Sequence, residues 1–156
     1  MLYFPFSETT PKSRLFDFLL LNSIIFREDY PDERLVFWEG ESFKLADELS
    51  LIRVGGHFPG GTVLHWSKGA NEKGVLLSAD IIQVAVDNTR VSFMHSYPNM
   101  LPLAALKVQY VGKAIELWDF DRLYGAFDGK TILSGAKKII SDSVSRYLEL
   151  LEDKPA

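Results

Sequence analysis

The chain has 156 residues, 47% of them apolar and 24% charged, the balance of one soluble globular domain with a core of its own. A formal net charge of −4, with Lys137-Lys138 the sole adjacent basic pair, leaves no clustered cationic face and speaks against a nucleic-acid partner. The absence of cysteine removes disulfides, thiolate nucleophiles and Cys-ligated zinc together, and is compatible with the cytoplasm, the expected location.

The N-terminus, MLYFPFSETTPKSR, has no basic region ahead of an apolar stretch and does not read as a secretory signal. The most apolar segment, Leu15 to Phe26, is too short to span a bilayer and contains Asp17 and Asn22, so no membrane association is expected. Thr10, Pro11 and Ser13 signal a helix start before Arg14 to Leu21. Ile24 to Phe26 is a candidate strand, and REDYPDER is a polar connection.

Short β-type runs follow. LVFW (35–38), ESFKLA (41–46) and LSLIRV (49–54) read as strands, with Glu39-Gly40 in a hairpin turn between the first two. TVLHWS (62–67) and KGVLLSAD (73–80) form a second hairpin across the polar KGANEKG turn. TRVSFM (89–94) is another candidate strand. Pro102 suits the first turn of a helix running from about Leu103 to Leu117. DRLYGAF (121–127) is a short buried-type strand. Gly135 to Leu151 places Ile139, Ile140, Val144, Tyr147, Leu148 and Leu151 on one helical face. The result is one α/β domain with a mostly meandering sheet and no regular βαβ alternation.

The chemistry concentrates in VGGHFPGG. Glycine pairs flank His57, and Pro59 stiffens the loop, so the imidazole is held at the end of a strand. It can bind a metal through a neutral ring nitrogen, or it can simply hydrogen-bond a nearby carbonyl. Asp80 ends an apolar strand; a buried carboxylate there needs donors or a cation, and a loop or cap hydrogen bond is the plainer alternative. His65 shares the face of Val63 and reads as a satisfied core or supporting histidine. His95 and Asp128 are further candidates, although Asp128 lies in FDGK, a turn sequence where a solvated aspartate is ordinary. There is no P-loop and no G-x-S-x-G elbow.

Together, GGHFPGG, the strand ending LLSAD and the later FDRLYGAFDGKTI resemble the metallo-β-lactamase-fold hydrolases, most closely uncharacterised bacterial members. The resemblance covers about Trp38 to Tyr147. It implies one domain over 1–156, with 1–34 divergent and 35–151 family-like, and an αββα sandwich incomplete at its N-terminus. It assigns His57 and Asp80 as metal ligands, with His95 and Asp128 as additional candidates. The implied cofactor is zinc or another divalent metal that activates water and polarises a carbonyl or phosphoryl oxygen of a small-molecule substrate.

The chain departs from the family in two places. The N-terminal His-x-His-x-Asp-His loop is missing, since no histidine precedes His57, and YFPF (3–6) stands about where a related His-Pro-His falls. Ala126, Phe127 and Asp128 occupy the place of the last family histidine. The resemblance therefore implies a metal-dependent hydrolase with a reduced or degenerate site. The alternatives are a metal-free, non-catalytic binding or interaction module, or a half-domain completed by oligomerisation, for example as a homodimer. The stretch VSFMHSYPNMLPL (91–103) is expected to shape a cleft wall.

Overall fold

The computed structural model describes residues 38–96 and 101–152. The expected helix 14–21, the strand at 24–26, most of LVFW and the YFPF position lie outside the described residues.

The strands are β1 (Ser42–Ala46), β2 (Leu49–Arg53), β3 (Thr62–Trp66), β4 (Val75–Ala79), β5 (Gln83–Val84), β6 (Val91–Ser92), β7 (Met94–Ser96), β8 (Leu101–Pro102), β9 (Arg122–Gly125) and β10 (Thr131–Ile132). The helical segments are α1 (Gly69–Glu72), α2 (Ala105–Glu116) and α3 (Ala136–Glu152). The main sheet has the order β1-β2-β3-β4-β9-β10. Its first four strands form the expected antiparallel meander, β9 joins β4 in parallel, and β10 returns antiparallel to β9. The parallel pair requires a long crossover, and α2 lies within it.

Register explains the core. Ile52 opposes Val63, His65 opposes Leu76, Leu76 opposes Leu123, and Leu123 opposes Ile132. Because side chains alternate along a strand, these residues share one face of the sheet. All are buried, and with Val108, Val111, Ile115 and Ile140 of α2 and α3 they form the continuous core. The two helices pack on each other, α2 also against β2 and α3 against β9. Complete burial of each branched or aromatic side chain contributes ~1.5–3 kcal/mol.

Several elements differ from expectation. KGANEKG does close the β3–β4 hairpin, but α1 within it is a tight turn with Ala70, Asn71 and Glu72 at φ 54°, 59° and 66°. TRVSFM is broken at Phe93 into β6, which pairs with β5, and β7, which pairs with β8, with Phe93 fully buried between them. Pro102 ends β8 and does not open α2, whose first residue is Ala105 after an Ala104 that provides no side-chain cap. On α3, Leu151 is exposed, and the buried polar Ser143 instead accepts a hydrogen bond from the Val91 N–H at 3.0 Å. Among the described residues no helix is long and apolar enough to cross a membrane.

Two contacts fix the segments that frame the candidate site. The Tyr147 hydroxyl reaches the carbonyls of Phe93 at 3.1 Å and Leu103 at 3.0 Å, tying α3 to both ends of the β7–β8 hairpin, and burial pushes its phenol pKa up. In the loop between β2 and β3, the Val54 and Gly55 N–H groups both donate to the Gly61 carbonyl at 2.9 Å. A Cβ on Gly61 would lie 2.0 Å from the Gly55 carbonyl oxygen and 2.7 Å from Ile81, so only glycine closes the loop this tightly.

Three stability changes follow. Leu76→Ala, at a fully buried position, is expected to cost ~2–5 kcal/mol in denaturant unfolding. Gly61→Ala should cost roughly 1–3 kcal/mol, because the clash is with backbone. Tyr147→Phe should cost about 1 kcal/mol by loss of its hydrogen bond, with no loss of secondary structure by circular dichroism.

Candidate functional site

Chain direction gathers the candidates. β3 leaves the VGGHFPGG loop, and antiparallel β4 returns to the same end of the sheet before delivering Asp80. β9 runs parallel to β4, so the turn holding Asp128 emerges at that end too. Ile81, next to Asp80, packs 2.7 Å from where a Cβ on Gly61 would be and 3.5 Å from one on Gly56. The histidine loop and the end of β4 are therefore in direct contact.

His57 is half-buried, with Nδ1 2.9 Å from the carbonyl oxygen of Met94. A carbonyl only accepts, so Nδ1 carries the hydrogen and donates it. In the neutral ring this leaves the Nε2 lone pair free and fixes the ring's orientation. Phe58 stands edge-on to the imidazole, 6.1 Å between centroids, and is exposed. Tyr110 of α2, also exposed, approaches to 4.0 Å from the Cβ position of Gly55. The rim beside His57 is thus apolar and aromatic.

Asp80 is exposed, which removes the premise that a buried carboxylate here demands a counter-charge; the buried residues are Ile81 and Ile82 immediately after it. The turn that carries it is rigid. Ile81 N–H donates to Ser78 O at 3.0 Å, the Ser78 hydroxyl donates to Ile82 O at 3.1 Å, and Gln83 Nε2 donates to Asp80 O at 3.1 Å. Ala79 just before it has φ 46°, a left-handed conformation costing a non-glycine residue roughly 1–2 kcal/mol. Backbone strain of this sort is held in place by the surrounding structure and concentrates at functional turns.

His95 lies on β7, one residue after the Met94 that accepts from His57, and is exposed. Asp128 sits exposed in a turn closed by Lys130 N–H to Phe127 O at 3.1 Å, as its sequence suggested. Part of the expected cleft wall, residues 97–100, falls outside the described residues. His65 is at the opposite end of the sheet, 6% exposed, donating Nε2–H to Asp119 O at 2.7 Å and lying 5.1 Å from the Trp118 ring. It is a satisfied core histidine. The Lys137 ammonium 2.8 Å from Asp119 holds that exposed carboxyl below its usual range.

The chain contains three histidines and no cysteine, so removing His65 leaves His57 and His95 as the available nitrogen ligands. Among the described residues no three His, Cys, Asp or Glu side chains form a group able to hold a metal. A catalytic zinc centre takes three protein ligands plus a water. The described residues therefore do not fit such a centre, although one imidazole is oriented as a ligand would be. The Met94 carbonyl and the Ala79 turn were not foreseen, because a backbone group and a backbone conformation leave no residue-type signature.

The chain is similar to Uncharacterized protein YmaE of Bacillus subtilis (strain 168), with 45% identity over 124 residues. The match takes in 80% of this chain and 45% of the relative, so the chain spans less than half the relative's length. No protein-family profile matches the chain.

Proposed function

We propose that this chain is a metallo-β-lactamase-like α/β module that keeps the family's ligand-loop end of the sheet as a binding site rather than as a complete catalytic metal centre. The meander followed by a parallel strand, the helices on one sheet face and the contact between the histidine loop and the end of β4 all support the ancestry. The observation that carries the reading is the set of polar groups around His57. A single oriented imidazole and the exposed Asp80 stand at the same end of the sheet, and no three potential ligands are grouped among the described residues. Such a site offers Nε2 as one hydrogen-bonding point beside the aromatic rim of Phe58 and Tyr110. It suits a small molecule with an apolar face and one polar group, since few well-placed polar groups on an apolar wall give orientation.

A specific observation favours a second reading, a metal-dependent hydrolase with a reduced site. Histidine ligands characteristically donate their other ring N–H to a carbonyl or carboxylate, as His57 does to Met94. Further ligands would then come from outside the described residues or from another chain.

Metal content separates the two. Protein purified without chelator and analysed by elemental mass spectrometry is expected to hold well under one equivalent of zinc, iron or manganese, unchanged in His57→Ala. One equivalent of metal that disappears in His57→Ala, with wild-type folding retained, overturns the proposal in favour of the hydrolase.

A further inference from the structure

One ring nitrogen of His57 is bonded and the other is open. Nδ1–H donates to the Met94 carbonyl at 2.9 Å, so in the neutral ring Nε2 can only accept. The opposite tautomer would turn two lone pairs on one another across that distance, which fixes the arrangement. Among the described residues a single buried side-chain nitrogen lacks a partner, and it is Trp38 Nε1. Nε2 has no partner there either, so it lies at the surface, within reach of solvent. The polar groups around it share its polarity. Asp80 and Asp128, exposed at the same end of the sheet, accept only when ionised. The Thr62 hydroxyl and the Gln83 amide already donate, to Gly60 O at 3.1 Å and to Asp80 O at 3.1 Å. Arg53, the cation nearest the loop in the chain, follows Ile52, which faces the helices, so strand alternation sends Arg53 to the other side of the sheet. The Tyr110 hydroxyl and the His95 ring can each donate or accept and set no polarity.

We propose that this site selects its ligand by a neutral hydroxyl: an apolar or aromatic body lies against Phe58 and Tyr110 and donates its O–H to His57 Nε2. This rests on the binding reading of the His57 end given above and names the class of ligand it takes. Phe58 at 40% and Tyr110 at 44% exposure leave ring surface for that body. One donor matches one acceptor. An ether or a carboxylate on the same body brings lone pairs to a lone pair. An ammonium brings three donors to a single acceptor, and a full charge that must shed water beside an apolar rim.

Four probes that share one ring system and differ in the polar group test this: 2-naphthol, 2-methoxynaphthalene, 2-naphthoate and 2-naphthylmethylamine. The full chain is titrated with each at about pH 8, where imidazole is ordinarily neutral, and followed through the His57 ring in ¹⁵N spectra. Before any probe is added, the nitrogen–proton couplings should place the hydrogen on Nδ1. 2-Naphthol should move the Nε2 resonance and bind at least ~5-fold more tightly than each of the others, the size of one net hydrogen bond. His57→Phe, which keeps an aromatic ring and removes the acceptor, should bring 2-naphthol down to the level of the methoxy compound. Hydrogen on Nε2 in the free protein overturns the proposal, whether or not that variant folds. A smaller margin over any of the other three, with shifts centred on His57, also overturns it while leaving the binding site in place. A preference for the carboxylate then puts Lys107, exposed one turn before Tyr110, in control. If no probe shifts His57 at all, the binding reading falls as well.

Discussion

β4 is the strand on which the rest of the fold depends. It is paired with β3 on one side and β9 on the other, antiparallel and parallel respectively, so it joins the meander to the crossover. Leu76, its second residue, is fully buried, with His65 and Leu123 on either side in register. A slip of one residue in this strand would send Leu76 to the open face and bring Val75 and Leu77 under the helices. The same slip would move the Ser78–Ile82 turn, and with it Asp80. Packing of the core and presentation of the carboxylate are thus one constraint.

The loop that carries His57 is held from three directions. Its own backbone closes on the Gly61 carbonyl, Ile81 fills the space left by Gly56 and Gly61, and the Met94 carbonyl takes the imidazole N–H. Met94 belongs to the β7–β8 hairpin, which Tyr147 of α3 anchors at Phe93 and Leu103. The orientation of one imidazole therefore depends on a chain of contacts running through to the C-terminal helix. This degree of preorganisation exceeds what a histidine filling a surface gap requires. Among the described residues no three potential ligands are grouped, which falls short of what a closed metal centre requires. In the proposed binding reading, one fixed hydrogen-bonding point and an aromatic rim do the orienting.

The two faces of the sheet pose different physical demands. One meets α2 and α3 and is dry; the other keeps leucines half-exposed at the centre of the sheet and aromatic side chains toward its edges. Sheets with a single covered face normally alternate apolar with polar residues, leaving the open side hydrophilic. Here β3 and β4 carry apolar residues on both sides, the pattern of strands that are buried twice.

Much of this was legible in the chain itself. Period-two runs and Gly/Asn-rich turns gave the β2, β3 and β4 strands; apolar spacing gave α3; a helix was expected from about Leu103 to Leu117 on the strength of Pro102, which in the fold ends β8 instead; the glycine pairs marked the tight loop; and the alternation of TVLHW placed His65 inside. These are local properties, fixed by side-chain periodicity and by which residues tolerate a turn. Other features depended on residues distant in sequence. The break at Phe93, the displacement of Pro102 from α2 into β8, the parallel entry of β9 and the bond from His57 to Met94 each needed a partner outside its own stretch of chain. The convergence of the candidates at one sheet end, and the exposure of Asp80 that the apolar strand before it had seemed to deny, came from strand direction and packing. Both are properties of the assembled sheet, which no short stretch of sequence contains.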